Sequence, residues 1–250
     1  QRGGARDICY GDGVGLTKNI RMRNLIFCIT ALLSMGCATT KSTDKLLAEV
    51  WNDDQQPRHP LVELTKAVTV EGRTELIDSL ILVNDIVERN DAKNIEVVDK
   101  ILKSGLPQGL SEESYKTIWI VIDHAPLEKQ EQYLPLVEQM ATEGYVGVDE
   151  YAILYDRVAM GQNRHQRYGS QLVQFDNAEA MQLYVWPIED VEKLDSLRSA
   201  VGLSSFYNYL KDIEETMGIV PVYDTTLTIE ELNQLVRRQV NNIMKQYTIS

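Results

Sequence analysis

Ser111-Glu-Glu-Ser-Tyr-Lys-Thr-Ile-Trp-Ile-Val-Ile-Asp-His124 is the stretch whose reading decides the fold. Ser111 is a helix-starting residue, and Glu112 and Glu113 suit the positive end of a helix that begins there. Tyr115, Ile118, Trp119 and Ile122 follow at the i, i+3, i+4, i+7 spacing of a buried helical stripe. Pro126 is well placed in the first turn of a further helix. The stretch therefore reads as a core helix with His124 at its end.

Outward from it, the same period recurs. Leu46, Leu47, Val50 and Trp51 share one helical face, which Pro57 and Pro60 interrupt before another turn or two over 61–68. Residues 74–88 form a strongly apolar helix. Asn90 or Asp91 caps the next one, which reaches Lys103 and stops at Gly105 and Pro107. Further helices are expected from Pro126 to Gly144 and from Asp149 to Met160. The period then changes to that of strands at 168–175 and 181–186, joined by the five-residue loop Asp176-Asn-Ala-Glu-Ala180. Helices return at 189–200 and 205–217, and Thr228 with Glu231 makes a capping box for a last helix reaching about Tyr247. The expected fold class is mainly α: a single multi-helical domain over 46–250 with a small inserted antiparallel β-hairpin at about 166–186.

The first part of the chain reads differently. Met22 and Arg23 precede the apolar run Leu25-Ile-Phe-Cys-Ile-Thr-Ala-Leu-Leu33, too short for the about 20 residues that span a bilayer. Ser34-Met-Gly-Cys37 follows. The segment resembles a lipoprotein signal peptide, in which a small residue precedes a Cys that is acylated as the leader is removed. Gly36 and Cys37 fit, whereas Ser34 stands where Leu or Val is commoner. The expectation is an upstream-translated, unstructured segment over 1–21, a signal peptide over 22–36, lipidation at Cys37, and a polar tether over 37–45. The 250-residue chain carries net charge −12. Loss of the basic leader makes the remainder more acidic still, roughly −15, which repels nucleic acid and anionic lipid headgroups. The expected location is the bacterial cell envelope, on its periplasmic or outer-membrane face, with the membrane reached through the lipid on Cys37 and no nucleic-acid partner. Cys9, Cys28 and Cys37 are the three cysteines, so the domain beyond them has no disulfide, thiolate metal site or cysteine nucleophile.

Three polar groups resist a reading as surface. Asp156-Arg157 follows the apolar run Tyr151-Ala-Ile-Leu-Tyr155, and Asp156 near a helix C-terminus needs a partner, either Arg157 or amide donors. His124 ends its helix beside Asp123, placed for a terminal carbonyl or for acid–base work. Gln166, Tyr168, Gly169 and Gln171 cluster at the hairpin start, where a buried amide requires hydrogen-bond partners. The plain alternative for each is structural: an ion pair, a helix-end histidine, a secured loop. His59 and His165 lie far off in sequence and no paired-His spacing occurs, so no metal and no cofactor is expected.

Together with Asp54-Gln55 and Arg58, Asp91 and Asn94, Gly105-Leu-Pro107, His124-Ala125 and Gln132, these segments stand in an order that resembles a bacterial family known only as a domain of unknown function, DUF6624. The resemblance runs from about Trp51 to Leu210. Asp123 stands where the family often has Gln, and Ser170 where it has Thr. The family brings no established activity. It implies a shared polar constellation of Asp54, Gln55, Arg58, Asp91, Asn94, His124, Asp156, Arg157, Gln166, Tyr168 and Gln171, expected to converge on one cleft between helices and hairpin. The expected role is a binding or interaction module, with Arg58, Arg157 and the glutamines holding a small acidic or polar ligand or an envelope protein. The alternative is an envelope hydrolase using His124 as general base with Asp91 or Asp156 beside it. The absence of GxSxG, metal-ligand spacing and a Gly-rich phosphate loop favours binding and leaves the enzyme question open.

Overall fold

The computed structural model of the chain describes residues 40–176 and 181–237. The leader and Cys37, the loop 177–180 and the end of the last helix lie outside the described residues. Helix α1 spans 40–55, α2 Arg58–Thr69, α3 Ile77–Leu102, α4 Glu112–His124, α5 Leu127–Thr142 and α6 Val148–Gly161. Strands β1 (Leu172–Asp176) and β2 (Met181–Val185) follow, then α7 (Leu194–Ala200), α8 (Phe206–Met217) and α9 over 229–237. The fold is mainly α with one small antiparallel hairpin, in the register Leu172 to Val185 through Asp176 to Met181. Among the described residues no helix is long and apolar enough to cross a membrane.

Helix α4 is the axle of the main core. Ser111 caps it, accepting from the Ser114 amide. Ala125 is extended at ψ 164° because a residue before proline is driven out of the helical region, and Pro126 thereby fixes His124 as the last helical residue. The expected stripe of Tyr115, Ile118, Trp119 and Ile122 is buried, but so are Ser114, Thr117, Val121 and Asp123. The helix is surrounded on most of its circumference, with Leu47 and Val50 of α1, Val98 of α3, Val137 and Met140 of α5 and Leu154 of α6 in the same core. Helix α1 runs parallel to α4. Asp44 accepts from the Ser111 amide and the Ser114 hydroxyl, and ten residues further along both helices Asp54 meets His124.

Three expectations change. Residues 74–102 are not two helices broken at Asn90-Asp91: after a 3-10 turn at Thr74–Leu76, α3 runs unbroken through both. Neither side chain is a cap, because Asn90 donates to the Asp53 carbonyl and Asp91 pairs with Arg58. The tether expected to 45 is shorter, since α1 has begun by residue 40 and Asp44 is already bonded to the start of α4. Pro57 and Pro60 barely interrupt the chain: Pro57 sits at the N-cap of α2 and Pro60 in its first turn, where a missing N–H costs nothing.

The first expected strand is also shortened, because 166–171 is a folded loop wrapped around Asp156. Asp156 is wholly buried and accepts from the backbone amides of Arg167, Tyr168 and Ser170 and from the Ser170 hydroxyl, at 2.7–3.1 Å. Gln166, equally buried, donates to the carbonyls of Gln171 and Trp186 and accepts from the Gln171 amide. Gly169 turns at φ +65°, and a Cβ there would lie 3.1 Å from the Phe206 ring. From the other side, buried Arg198 donates to the carbonyls of Tyr168 and Gly169, and the Tyr209 hydroxyl donates to that of Ser170. At the chain's far end the expected capping box is present: Thr228 and Glu231 exchange side-chain-to-amide bonds at the start of α9.

Replacing Asp156 with Ala leaves three backbone amides and a hydroxyl without their acceptor, at about 1–3 kcal/mol for each donor that water does not reach. We expect Asp156→Ala to lower the unfolding free energy by roughly 3–5 kcal/mol, read from the urea midpoint. A change under about 1 kcal/mol would mean that the loop is held by its other bonds.

Candidate functional site

The eleven expected residues do not form one hydrogen-bonded group. Asp156, Gln166, Tyr168 and Gln171 belong to the loop lock, with Asp156 taking amide donors and not Arg157. Arg157 Nε instead donates to Asp123 Oδ1 at 2.9 Å. Asp54, Gln55, Arg58, Asp91 and His124 form the second group, where the ends of α1 and α4, the start of α2 and the middle of α3 meet.

Asp54 is the centre of that group. Its side chain has no solvent exposure, whereas Arg58, Asp91 and His124 keep 23%, 20% and 18%. The cluster is therefore open on one side and floored by a buried carboxylate. Arg58 forks onto Asp54, with Nε 3.2 Å from Oδ1 and Nη2 3.3 Å from Oδ2, and the same Nη2 reaches Asp91 Oδ1 at 2.5 Å. His124 Nδ1 lies 3.0 Å from Asp54 Oδ2 and 3.2 Å from Oδ1. With Nδ1 turned to the carboxylate, Nε2 takes no part in that contact. Gln55 Nε2 donates to Asp54 Oδ1 at 2.6 Å.

The electrostatics follow from this geometry. Burial pushes the Asp54 carboxyl up, but bonds from His124 and Arg58 and their charges outweigh it and hold the group below the usual carboxylate range. Burial likewise pulls the Arg58 guanidinium down, and its two carboxylate partners more than restore it. For Asp91 burial prevails over Arg58, and its carboxyl lies above the usual range. Asp156 is raised too, since burial exceeds the effect of its four donors.

Asn94 is placed apart from both groups' bonding. It lies one helical turn beyond Asp91 on α3, wholly buried, and neither its amide nitrogen nor its amide oxygen has a hydrogen-bond partner among the described residues. Two unpaired polar atoms in an interior cost several kcal/mol at about 1–3 kcal/mol each.

Sequence reasoning noted Asp123 only as the neighbour of His124 and passed over Gln130 and Arg198. Asp123 is one helical turn beyond buried Trp119 and adjacent to buried Ile122, so an acid on the inner face of a core helix was the available signal. Its carboxylate pairs with Arg157, while Gln130 donates to its carbonyl. Nothing in the spacing marks Arg198, whose role depends on contacts thirty residues away.

Asp54→Asn removes the charge that Arg58 and His124 share and keeps the side chain's size. We expect a loss of about 2–4 kcal/mol at neutral pH. Asp54's folded value is depressed, so its contribution is present above the ordinary carboxylate value of 3.8 and is lost as pH falls through the folded value. Thermal melts of wild type and variant should therefore differ most near neutrality and converge in strong acid; a gap independent of pH would contradict this assignment.

No curated protein and no solved structure matches the chain. A family model does, over residues 72–221, a span that includes Asp91, Asn94, His124 and the loop lock and begins after Asp54, Gln55 and Arg58. The chain belongs to the family of unknown function DUF6624.

Proposed function

We propose that this protein is a lipid-anchored envelope protein whose domain binds a polar group of neutral or positive charge at the Asp54–Arg58–Asp91–His124 cluster. One observation carries the reading of the cluster. Both arginines that sequence reasoning assigned to an acidic ligand are already neutralised by carboxylates: Arg58 by Asp54 and Asp91, Arg157 by Asp123. The cluster sets two carboxylates, Asp54 and Asp91, against the one guanidinium of Arg58, with the His124 imidazole beside them. An anion brought there gains nothing from either guanidinium, whereas an ammonium, a guanidinium or a metal ion finds half-open carboxylate oxygens and an imidazole. The whole chain, at −12, biases encounter in the same direction.

A hydrolase is the second reading, and the contact of His124 Nδ1 with Asp54 favours it. A buried, ionised carboxylate that fixes an imidazole by one nitrogen leaves the other as a proton acceptor, the arrangement of a general base. The carboxylate in that role is Asp54, one that sequence reasoning had not paired with His124. Asp156 is committed to its loop.

The test is a thermal-shift panel on the full chain with matched cationic, neutral and anionic solutes, because a ligand of the native state raises the melting temperature by mass action. Amines and guanidines should stabilise wild type and leave Asp91→Asn unmoved, and phosphate or citrate should do neither. Stabilisation by anions alone overturns the binding reading. Turnover of an ester or phosphoester substrate that disappears in His124→Gln, with binding retained, moves the protein to the second reading.

The anchoring rests on the Gly36-Cys37 junction after the apolar run. Mass spectrometry of the product made in bacteria should find an N-terminus at Cys37 carrying acyl chains, and Cys37→Ser should accumulate the uncleaved form. An unmodified internal Cys37 would remove the anchor.

A further inference from the structure

The place between Asp54 and Asp91 is one that a cation fills, and in this structure the cation is the Arg58 side chain. Oxygen atoms of both carboxylates and a ring nitrogen of His124 all lie within 4.8 Å of one another. Ligand atoms that share one first-row metal ion at bonds of about 2.0–2.2 Å sit about 3–3.5 Å apart. The contacts of His124 Nδ1 with the two Asp54 oxygens, 3.0 and 3.2 Å, already have that separation. Asp91, partly exposed and near the middle of a long helix, offers its oxygen within the same 4.8 Å and closes toward the other two when an ion is shared.

Asn94 supplies an independent observation. Its amide oxygen is buried and unpaired one turn from Asp91 on the same helix, a polar atom for which the described residues provide no partner. A buried carboxamide oxygen is a hard donor of the kind that completes a site made of carboxylates and imidazole.

We propose that the cluster is a divalent-cation site in which an ion of the zinc or manganese class exchanges with the Arg58 guanidinium. Asp54, Asp91 and His124 are its ligands, and Asn94 lies one helical turn beyond Asp91 on the same helix. Two carboxylates and one imidazole match the nitrogen and oxygen preference of that class, and the paired carboxylates match its sign. Arg58 is the competitor. While it stays forked between the carboxylates it repels the ion; when it swings into solvent, where its side chain is already partly exposed, the carboxylates are released. His124 then acts as a ligand through Nδ1, which excludes the Asp54–His124 hydrogen bond for as long as the ion is bound. Spacing rules did not reveal this site because its members come from three helices, with Asp54 and His124 seventy residues apart.

The proposal rests on the cationic-ligand reading above, and its readout is equilibrium metal binding, not turnover. The full chain is stripped with a chelator, freed of it, and titrated with Zn2+ and with Mn2+ by calorimetry, with metal content checked after gel filtration. Wild type should bind one equivalent. Asp91→Asn and His124→Gln, both at partly exposed positions, should weaken binding at least tenfold. Arg58→Gln should tighten it at least tenfold, a gain that a damaged fold does not produce. Absence of saturable binding in both wild type and Arg58→Gln overturns the metal site; if amines still stabilise the protein in the thermal panel, the wider reading stands without it. Binding that is the same in Asp91→Asn and His124→Gln as in wild type also overturns the assignment.

Discussion

A carboxylate withdrawn from water must be met by partners inside the protein, and among the described residues there are three such carboxylates, Asp54, Asp123 and Asp156, each 3% exposed or less. Each is met differently. Asp156 gathers backbone amides and so dictates the path of the chain from 166 to 171. Asp123 takes the single guanidinium of Arg157, which ties the end of α4 to α6. Asp54 takes an imidazole and a guanidinium from two other segments, which ties α1, α2 and α4 together and, through Arg58, α3. The helices alone would pack by their apolar stripes in several related ways; these three acids select among them.

The three solutions differ in what they leave available. Asp156 has spent its lone pairs on three backbone amides and the Ser170 hydroxyl, and burial still holds its carboxyl above the usual range. That is the pattern of a structural fastening. Around Asp54 the partners are side chains that keep partial exposure, and one of them, Asp91, is itself raised by burial beside the same arginine. Replacing a buried ionic group by well-packed apolar residues is often neutral or stabilising, so such a cluster is poor evidence of a need for stability. A half-open set of polar side chains above a buried floor is where ligand chemistry has room.

Much of the architecture was legible because helices announce themselves by period and by their ends. The stripe of α4, the stop at Pro126, the capping box of Thr228 and Glu231 and the hairpin all lie in runs of local sequence. Where the reading slipped, a local signal was overruled from a distance. Asn90 and Asp91 look like a cap, yet their side chains serve Asp53 and Arg58, and α3 passes through them. Gln171 falls on the apolar face of an imagined strand, but the loop is drawn off that course by Asp156, one turn before the end of a different helix. For the site, the residue types were visible and their grouping was not. Sequence order placed Arg157 beside Asp156 and His124 beside Asp123, and the bonds that matter join Arg157 to Asp123 and His124 to Asp54. Partners seventy residues apart leave no spacing to read.

The two polar groups are separate in bonding but adjacent in chain, and this links the 166–171 loop to the cluster mechanically. Asp156 and Arg157 are neighbours on α6; Asp123 and His124 are neighbours on α4. The lock at Asp156 is braced by Gln166, Gly169, Arg198 and Tyr209, so it holds the last turns of α6 against the loop. From that held helix Arg157 reaches across to Asp123, fixing the final turn of α4 immediately before Pro126 releases the chain. His124 is thus positioned twice, through its neighbour's ion pair on one side and through Asp54 on the other. An imidazole at a helix end would otherwise sample several rotamers in water. Through Arg157 and Asp123 its orientation leans on the loop 166–171, which gives the loop lock a role in whatever His124 does as ligand or base.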